Sequence, residues 1–177
     1  MRADDTVVIS FSGHGSESHE LVTYDADPYN LPATAIPLDE LTTWFSRIPA
    51  GRLIILLDCC FSGGMGAKVL QVEAVARSID SVEARLARMS GDGRLIVTAS
   101  AANEPAWENP RNGHGYFTHF LLEAMLGAKE VVDNGRLPVL RLLEYVTRRV
   151  IDAARQFGHA QNPTISAADG SPFVRMR

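Results

Sequence analysis

Three apolar runs, Thr6–Phe11, Arg52–Asp58 and Arg94–Ala99, stand out from a chain otherwise rich in polar and small residues. Each is dense in Val, Ile and Leu and lacks clean alternation, which suits strands covered on both faces of a parallel sheet. Between the first two, Leu38, Leu41, Thr42 and Phe45 recur at helical spacing after Pro37, with Asp39 and Glu40 placed for a first turn. The pattern therefore predicts a strand-helix-strand unit from about Thr6 to Asp58. Further on, Phe117–Leu126 and Pro138–Phe157 read as helices, the second setting Leu142, Tyr145, Val146, Arg149 and Val150 along one side. Asp133-Asn134-Gly135 marks a turn between them. The segment Ala67–Met89 is charged and Ala-rich, and Val69, Leu70, Val72, Val82 and Leu86 are too sparse for one strong apolar face. It reads as a mobile connector with partial helix.

Strands alternating with helices predict an α/β fold: an open, mostly parallel sheet with helices on both faces, in three layers. In such sheets, sites gather beyond the carboxyl ends of the strands. The first run leads straight into Ser12-Gly13-His14-Gly15, and the second into Cys59-Cys60-Phe61-Ser62-Gly63-Gly64. One strand end offers an imidazole and the other a thiol, on the same rim.

Length and charge narrow the classes. A domain of 177 residues buries roughly 70% of its unfolded surface, enough for one real core. The net charge of -4 and pI near 5.7 supply no excess of Lys and Arg for a phosphate-binding face. Nucleic acid is not an expected partner. No run approaches the roughly 18 apolar residues that span a bilayer, and Met-Arg-Ala-Asp-Asp lacks the order of a signal peptide. No membrane partner is expected, and a cytoplasmic address is. The two cysteines are adjacent, so they build no disulfide framework.

An unperturbed cysteine is only a few per cent thiolate at neutral pH, and a neighbouring imidazole changes that by taking its proton. The same histidine can return the proton to a leaving amine, so Cys60 and His14 suffice for acyl transfer through a thioester. Gly13, Gly15, Gly63 and Gly64 let backbone approach a substrate closely, and exposed N–H groups there can hold an oxyanion. Cys59, one residue along, points to the other side of the strand and reads as packing. A phosphate loop is not supported, because Ser62-Gly63-Gly64-Met65-Gly66 lacks the Gly-Lys-Ser ending. His14 and His19 with the two cysteines make an awkward zinc set, and no metal site is expected.

Ser-Gly-His-Gly after one strand, then Asp58-Cys59-Cys60-Phe61-Ser62-Gly63 after another with 46 positions from His14 to Cys60, resembles the caspase-like cysteine peptidases. Within them it is most similar to the metacaspase and bacterial orthocaspase branch, whose pattern is Asp, any residue, Cys, His, Ser, Gly. Phe61 departs from that histidine. Thr98 to Glu104, Glu108 and His114-Gly115-Tyr116-Phe117-Thr118 are similar to the smaller-subunit part of bacterial relatives, and Gln161-Asn162-Pro163 to their closing segment. The resemblance implies one peptidase domain over 1–177: 1–66 bearing histidine and cysteine, 67–93 the connector, and 94–177 the smaller-subunit-like part. Only Met1–Asp5 precede the histidine strand, where the family has about two strands and a helix, so an N-terminally shortened sheet is expected.

Carried over residue by residue, the resemblance makes Cys60 the nucleophile and His14 the acid and base, with the N–H groups of Gly15 and Cys60 as oxyanion hole. Metacaspases place an aspartate two before the nucleophile and cleave after Arg or Lys, so Asp58 becomes the selector of a basic side chain, with Ser100, Glu104 and Glu108 lining the same pocket. An arginine-directed enzyme is expected to cut itself in the connector, at Arg77, Arg85 or Arg88. The implied partners are protein or peptide substrates and a sensor or complementing N-terminal segment. No cofactor is expected; calcium, on which some metacaspases depend, would draw on Asp25, Asp27, Asp80 or Asp133, which show no recognisable ligand loop. The alternative from another class is a non-catalytic caspase-like module that binds partners.

Overall fold

The structure is a computed structural model and describes Arg2 and residues 5–61, 89, 93–109 and 113–167. In chain order the elements are β1 (Thr6–Ser12), β2 (His14–Gly15), β3 (Glu20–Val22), α1 (Leu31–Thr34), β4 (Ile36–Pro37), α2 (Leu38–Ser46) and β5 (Arg52–Asp58). They continue as β6 (Arg94–Thr98), β7 (Glu108–Asn109), β8 (His114–Gly115), α3 (Tyr116–Met125), α4 (Val139–Gln156) and β9 (Thr164–Ala167). The three expected strands and the helices expected over Phe117–Leu126 and Pro138–Phe157 form within one residue of their expected ends, and α2 forms where Leu38, Leu41, Thr42 and Phe45 recur at helical spacing.

The main sheet runs β1-β5-β6-β9, the first three parallel and β9 antiparallel to β6. One face carries Leu56, Leu95 and Val97 against α3 and α4, through Phe117, Phe120, Leu121, Leu143, Val146 and Val150. The other face carries Leu53, Ile55, Leu57 and Ile96 against Leu38, Leu41 and Phe45 of α2. The result is a mixed, mostly parallel sheet between helical layers. Each fully buried Leu or Val in these layers contributes about 1.5–3 kcal/mol. Of the expected α4 stripe, Tyr145, Val146 and Val150 are buried, Leu142 is half-buried, and Leu143 joins them. Arg149 lies over the Phe120 ring at 4.8 Å and reaches Glu123 at 3.6 Å, so it ties α4 to α3 from the rim of the stripe.

Two features differ from expectation. The strand β1 is not covered on both faces: Val8 is 57% exposed, and exposed and half-buried residues alternate along it. Among the described residues it pairs only with β5, so its Val7, Ile9 and Phe11 side alone meets core. The small sheet β2-β3-β4 and the closing strand β9 were not foreseen. Asp133 and Arg136 close the expected turn with two backbone hydrogen bonds of 2.9 Å, and Asn134 and Gly135 take positive φ. Most of the connector lies outside the described residues; its Met89 is buried in the α2-side core.

Candidate active site

Parallel pairing of β1 with β5 in the register Ser12 to Asp58 makes both chains leave the sheet at the same end. Gly13 N–H then donates to Asp58 O at 3.0 Å, which swings the next residues across the end of β5. There His14 and Gly15 pair with Val22 and Leu21 as one arm of a hairpin. Ser16 N–H donates to Glu20 O at 3.0 Å, so Ser16–Glu20 is a hydrogen-bonded pair. Antiparallel ladders alternate bonded and non-bonded pairs, which makes Gly15–Leu21 non-bonded and turns the Gly15 N–H away from β3.

The hairpin sits directly on the cysteine segment. A Cβ at Gly15 would lie 2.4 Å from Cys60 O and 2.8 Å from a ring carbon of Phe61, so only glycine fits. Phe61, where the resemblance has histidine, is buried beneath this arm and meets the His19 ring edge-on at 6.4 Å between centroids. Its bulk therefore joins the two strand ends. Cys60 is 6% exposed and His14 is exposed.

The adjacent thiols differ. Cys59 is buried in the α2-side core, where burial first, and then the charges of Asp58 and Cys60, push its thiol well above the usual cysteine range. A thiol held protonated is neither nucleophile nor ligand.

Asp58 is 7% exposed. Thr118 donates to its Oδ2 twice, from N at 3.0 Å and from Oγ1 at 2.5 Å. Gly115 lies against the same carboxylate, since a Cβ there would be 2.8 Å from Oδ2. Burial raises the Asp58 carboxyl above the usual range, the two Thr118 contacts pull it back, and the charge of Glu108 adds to the rise. Glu108, exposed and paired with Gly115 across β7 and β8, is thus the second carboxylate facing this end of the sheet.

The other residues expected at the pocket, Ser100 and Glu104, have these partners. Glu104 accepts from Asn162 N at 2.7 Å and from Asn162 Nδ2 at 2.6 Å. Ser100 is buried and donates to Glu104 O at 3.0 Å. Together with Gln161, which bridges Trp107 N and Ala99 O, they pin the loop after β6 to the segment entering β9. Arg77, Arg85, Arg88 and Asp80 lie outside the described residues. Asp25 accepts from Thr23, Asp27 from Tyr29 N–H, and Asp133 pairs with Arg141 at 3.5 Å. Among the described residues no three His, Cys, Asp or Glu are grouped to hold a metal ion, and no helix is long and apolar enough to cross a membrane.

Sequence reasoning missed two residues here. Thr118 carried no role beyond its motif, although the third residue of a helix with a glycine cap is where a side-chain acceptor is wanted. Glu20 was not singled out at all.

A caspase domain model matches residues 1–172, and the chain belongs to that family. No curated protein matches it. Among solved structures it is similar to caspase-1 from Spodoptera frugiperda, with a TM-score of 0.54 over 90% of this chain at 17% identity. At that identity the likeness is one of fold. The chain spans 59% of the length of that caspase chain.

Proposed function

We propose that the chain is a cysteine endopeptidase of the metacaspase and orthocaspase kind, hydrolysing peptide bonds after arginine, and less often lysine, through Cys60 and His14. The observation that carries this reading is the β1–β5 register, which delivers both strand ends to one rim and seats Gly15 on the Cys60 backbone.

The chemistry follows from the residues. His14 accepts the Cys60 thiol proton, and the thiolate attacks the scissile carbonyl carbon. The Gly15 and Cys60 N–H groups hold the oxyanion of the tetrahedral intermediate. His14 then passes its proton to the leaving amine, which departs and leaves a thioester on Cys60. Water, giving a proton to His14, attacks that thioester and releases the carboxylic acid, and the proton returns to the thiol.

Selection of a basic side chain rests on Asp58 with Glu108. Both Thr118 donors fall on Asp58 Oδ2, so Oδ1 is the oxygen left for a guanidinium, whose second arm suits the Glu108 carboxylate. A compact ammonium engages one of these groups at a time, which orders arginine before lysine. Ser100 and Glu104 shape the adjoining loop in this scheme. Self-cleavage at Arg77, Arg85 or Arg88 belongs to the same proposal, and fragments present in the wild type but absent from Cys60→Ala support it.

The test uses peptides that differ only in the residue before the scissile bond. Turnover fastest after arginine, with loss in Cys60→Ala and in His14→Ala, supports the proposal. Faster turnover after aspartate sinks the specificity. No turnover, together with no Cys60 adduct from an arginyl chloromethyl ketone, favours a partner-binding module.

A further inference from the structure

Glu20 is a carboxylate only 5% exposed, on the hairpin that carries His14 and Gly15, and no step above uses it. Burying such a group is costly unless strong donors satisfy it, so its presence calls for an account. Its partners are specific. The hydroxyls of Ser16 and Ser18 both donate to its Oε2, Ser18 at 2.8 Å. Its own N–H donates to Ser16 Oγ at 3.0 Å, and Ser16 N–H to Glu20 O at 3.0 Å. This hub therefore closes both sides of the Ser16–Glu20 pair, where the connection between β2 and β3 begins and ends. Within the connection His19 adopts φ 72°, a left-handed conformation that a non-glycine residue keeps only when its surroundings hold it.

The consequence reaches the catalytic backbone through register. Which amides of this short hairpin face β3 is decided by which pairs are hydrogen-bonded, and the Ser16–Glu20 pair decides it. A slip of one residue would exchange the faces of His14 and Gly15 and turn the Gly15 N–H back toward β3. Two-residue pairing alone is weak, because His14 and Gly15 are the whole of β2. We infer that Glu20 is a positioning residue: its buried carboxylate, through Ser16 and Ser18, locks the hairpin register that presents His14 and the Gly15 N–H. The inference rests on the peptidase reading for its kinetic consequence and on geometry alone for its structural one.

The experiment compares wild type, Glu20→Ala, Glu20→Gln and the Ser16→Ala/Ser18→Ala double variant. Loss of alignment at the reacting centre lowers kcat about 10- to 100-fold with KM within about 2-fold in Glu20→Ala, and the double variant matches it. Glu20→Gln recovers to within about 3-fold of wild type, because one amide oxygen can take both hydroxyls. Amide hydrogen exchange gives the reading independent of activity. Exchange at Ser16 and Val22, whose amides bond across the hairpin, speeds up at least about 10-fold in Glu20→Ala while Leu56 in β5 is unchanged. Wild-type kcat in either Glu20→Ala or the double variant overturns the inference, as does Glu20→Gln failing like Glu20→Ala, or equal acceleration at Leu56. If wild type cleaves no peptide, the peptidase reading falls, and the exchange comparison still decides the role of Glu20.

Discussion

The Asp58 carboxylate fills the capping position that Gly115 leaves empty at the start of α3: Thr118 N and Oγ1 both donate to its Oδ2, at 3.0 and 2.5 Å. A strand-end carboxylate thereby satisfies one orphan backbone donor of the first turn of α3, near the helix's positive end. Thr118→Val keeps the shape and the backbone donor but removes the hydroxyl. We expect a loss of about 1.5–3 kcal/mol in stability, the worth of a hydrogen bond to a charged group. Peptide kinetics should show the arginyl-to-leucyl preference falling about 10-fold as Asp58 loses its fixed orientation; an unchanged ratio contradicts the coupling.

Asp58→Asn separates specificity from stability. An acid whose folded pKa lies above its unfolded one is disfavoured in the fold once ionised, so it costs stability at pH above the folded pKa, and the cost fades as pH falls through the two values. Burial raises Asp58 in this way, and asparagine keeps an acceptor for Thr118 without the charge. Calorimetry across pH should find the variant melting at or above wild type at pH 7, with the difference shrinking toward the carboxylate range. Arginyl turnover should fall about 100-fold, the loss of a charge-assisted contact. A variant less stable than wild type at pH 7 contradicts the sign.

Gly15→Ala tests the seat of the hairpin. The new Cβ would meet Cys60 O at 2.4 Å, and backbone must move to admit it. Displacing an oxyanion donor costs about 100- to 1,000-fold in kcat, so kinetics on the folded variant should show a loss of that size with KM little changed. Near-normal kcat would remove Gly15 from the site.

Alkylation distinguishes the two thiols. Cys59 is held protonated by burial and by its charged neighbours, so iodoacetamide followed by mass spectrometry should modify Cys60 and spare Cys59 in folded protein. Cys59→Ala should keep activity at a stability cost of about 1–2 kcal/mol for the small cavity. Preferential labelling of Cys59 would reverse their roles.

Much of the scaffold was legible because its elements are long enough to carry a period. The runs at Thr6, Arg52 and Arg94 and the α4 stripe announce themselves through repeated apolar residues, and their order alone places His14 and Cys60 on one rim. The β2–β4 sheet was invisible, since strands of two and three residues have no periodicity to read. Likewise Thr-Ile-Ser-Ala in β9 offers one large apolar residue, and its pairing with β6 comes from tertiary contact. Among the described residues β1 pairs with β5 alone and only its Val7, Ile9 and Phe11 side meets core, which a run of apolar residues does not encode.

Within the candidate site, the sequence shows which charged residues exist but not which partners they meet. Glu104, expected with Glu108 beside Asp58, accepts from Asn162, 58 positions away, and Asp58 accepts from Thr118, 60 positions away. Such long-range hydrogen bonds leave no local signature. Glu20 escaped notice for a related reason: its neighbours Ser16 and Ser18 are close in sequence, but an acidic residue in a polar loop looks solvated until the fold buries it.

The most direct measurement is cleavage of a peptide library randomised at the residue before the scissile bond, with products read by mass spectrometry for wild type and Cys60→Ala. The account predicts cuts after arginine, fewer after lysine, and none in the variant. Cleavage after aspartate, or cuts that persist without the Cys60 thiol, would contradict it.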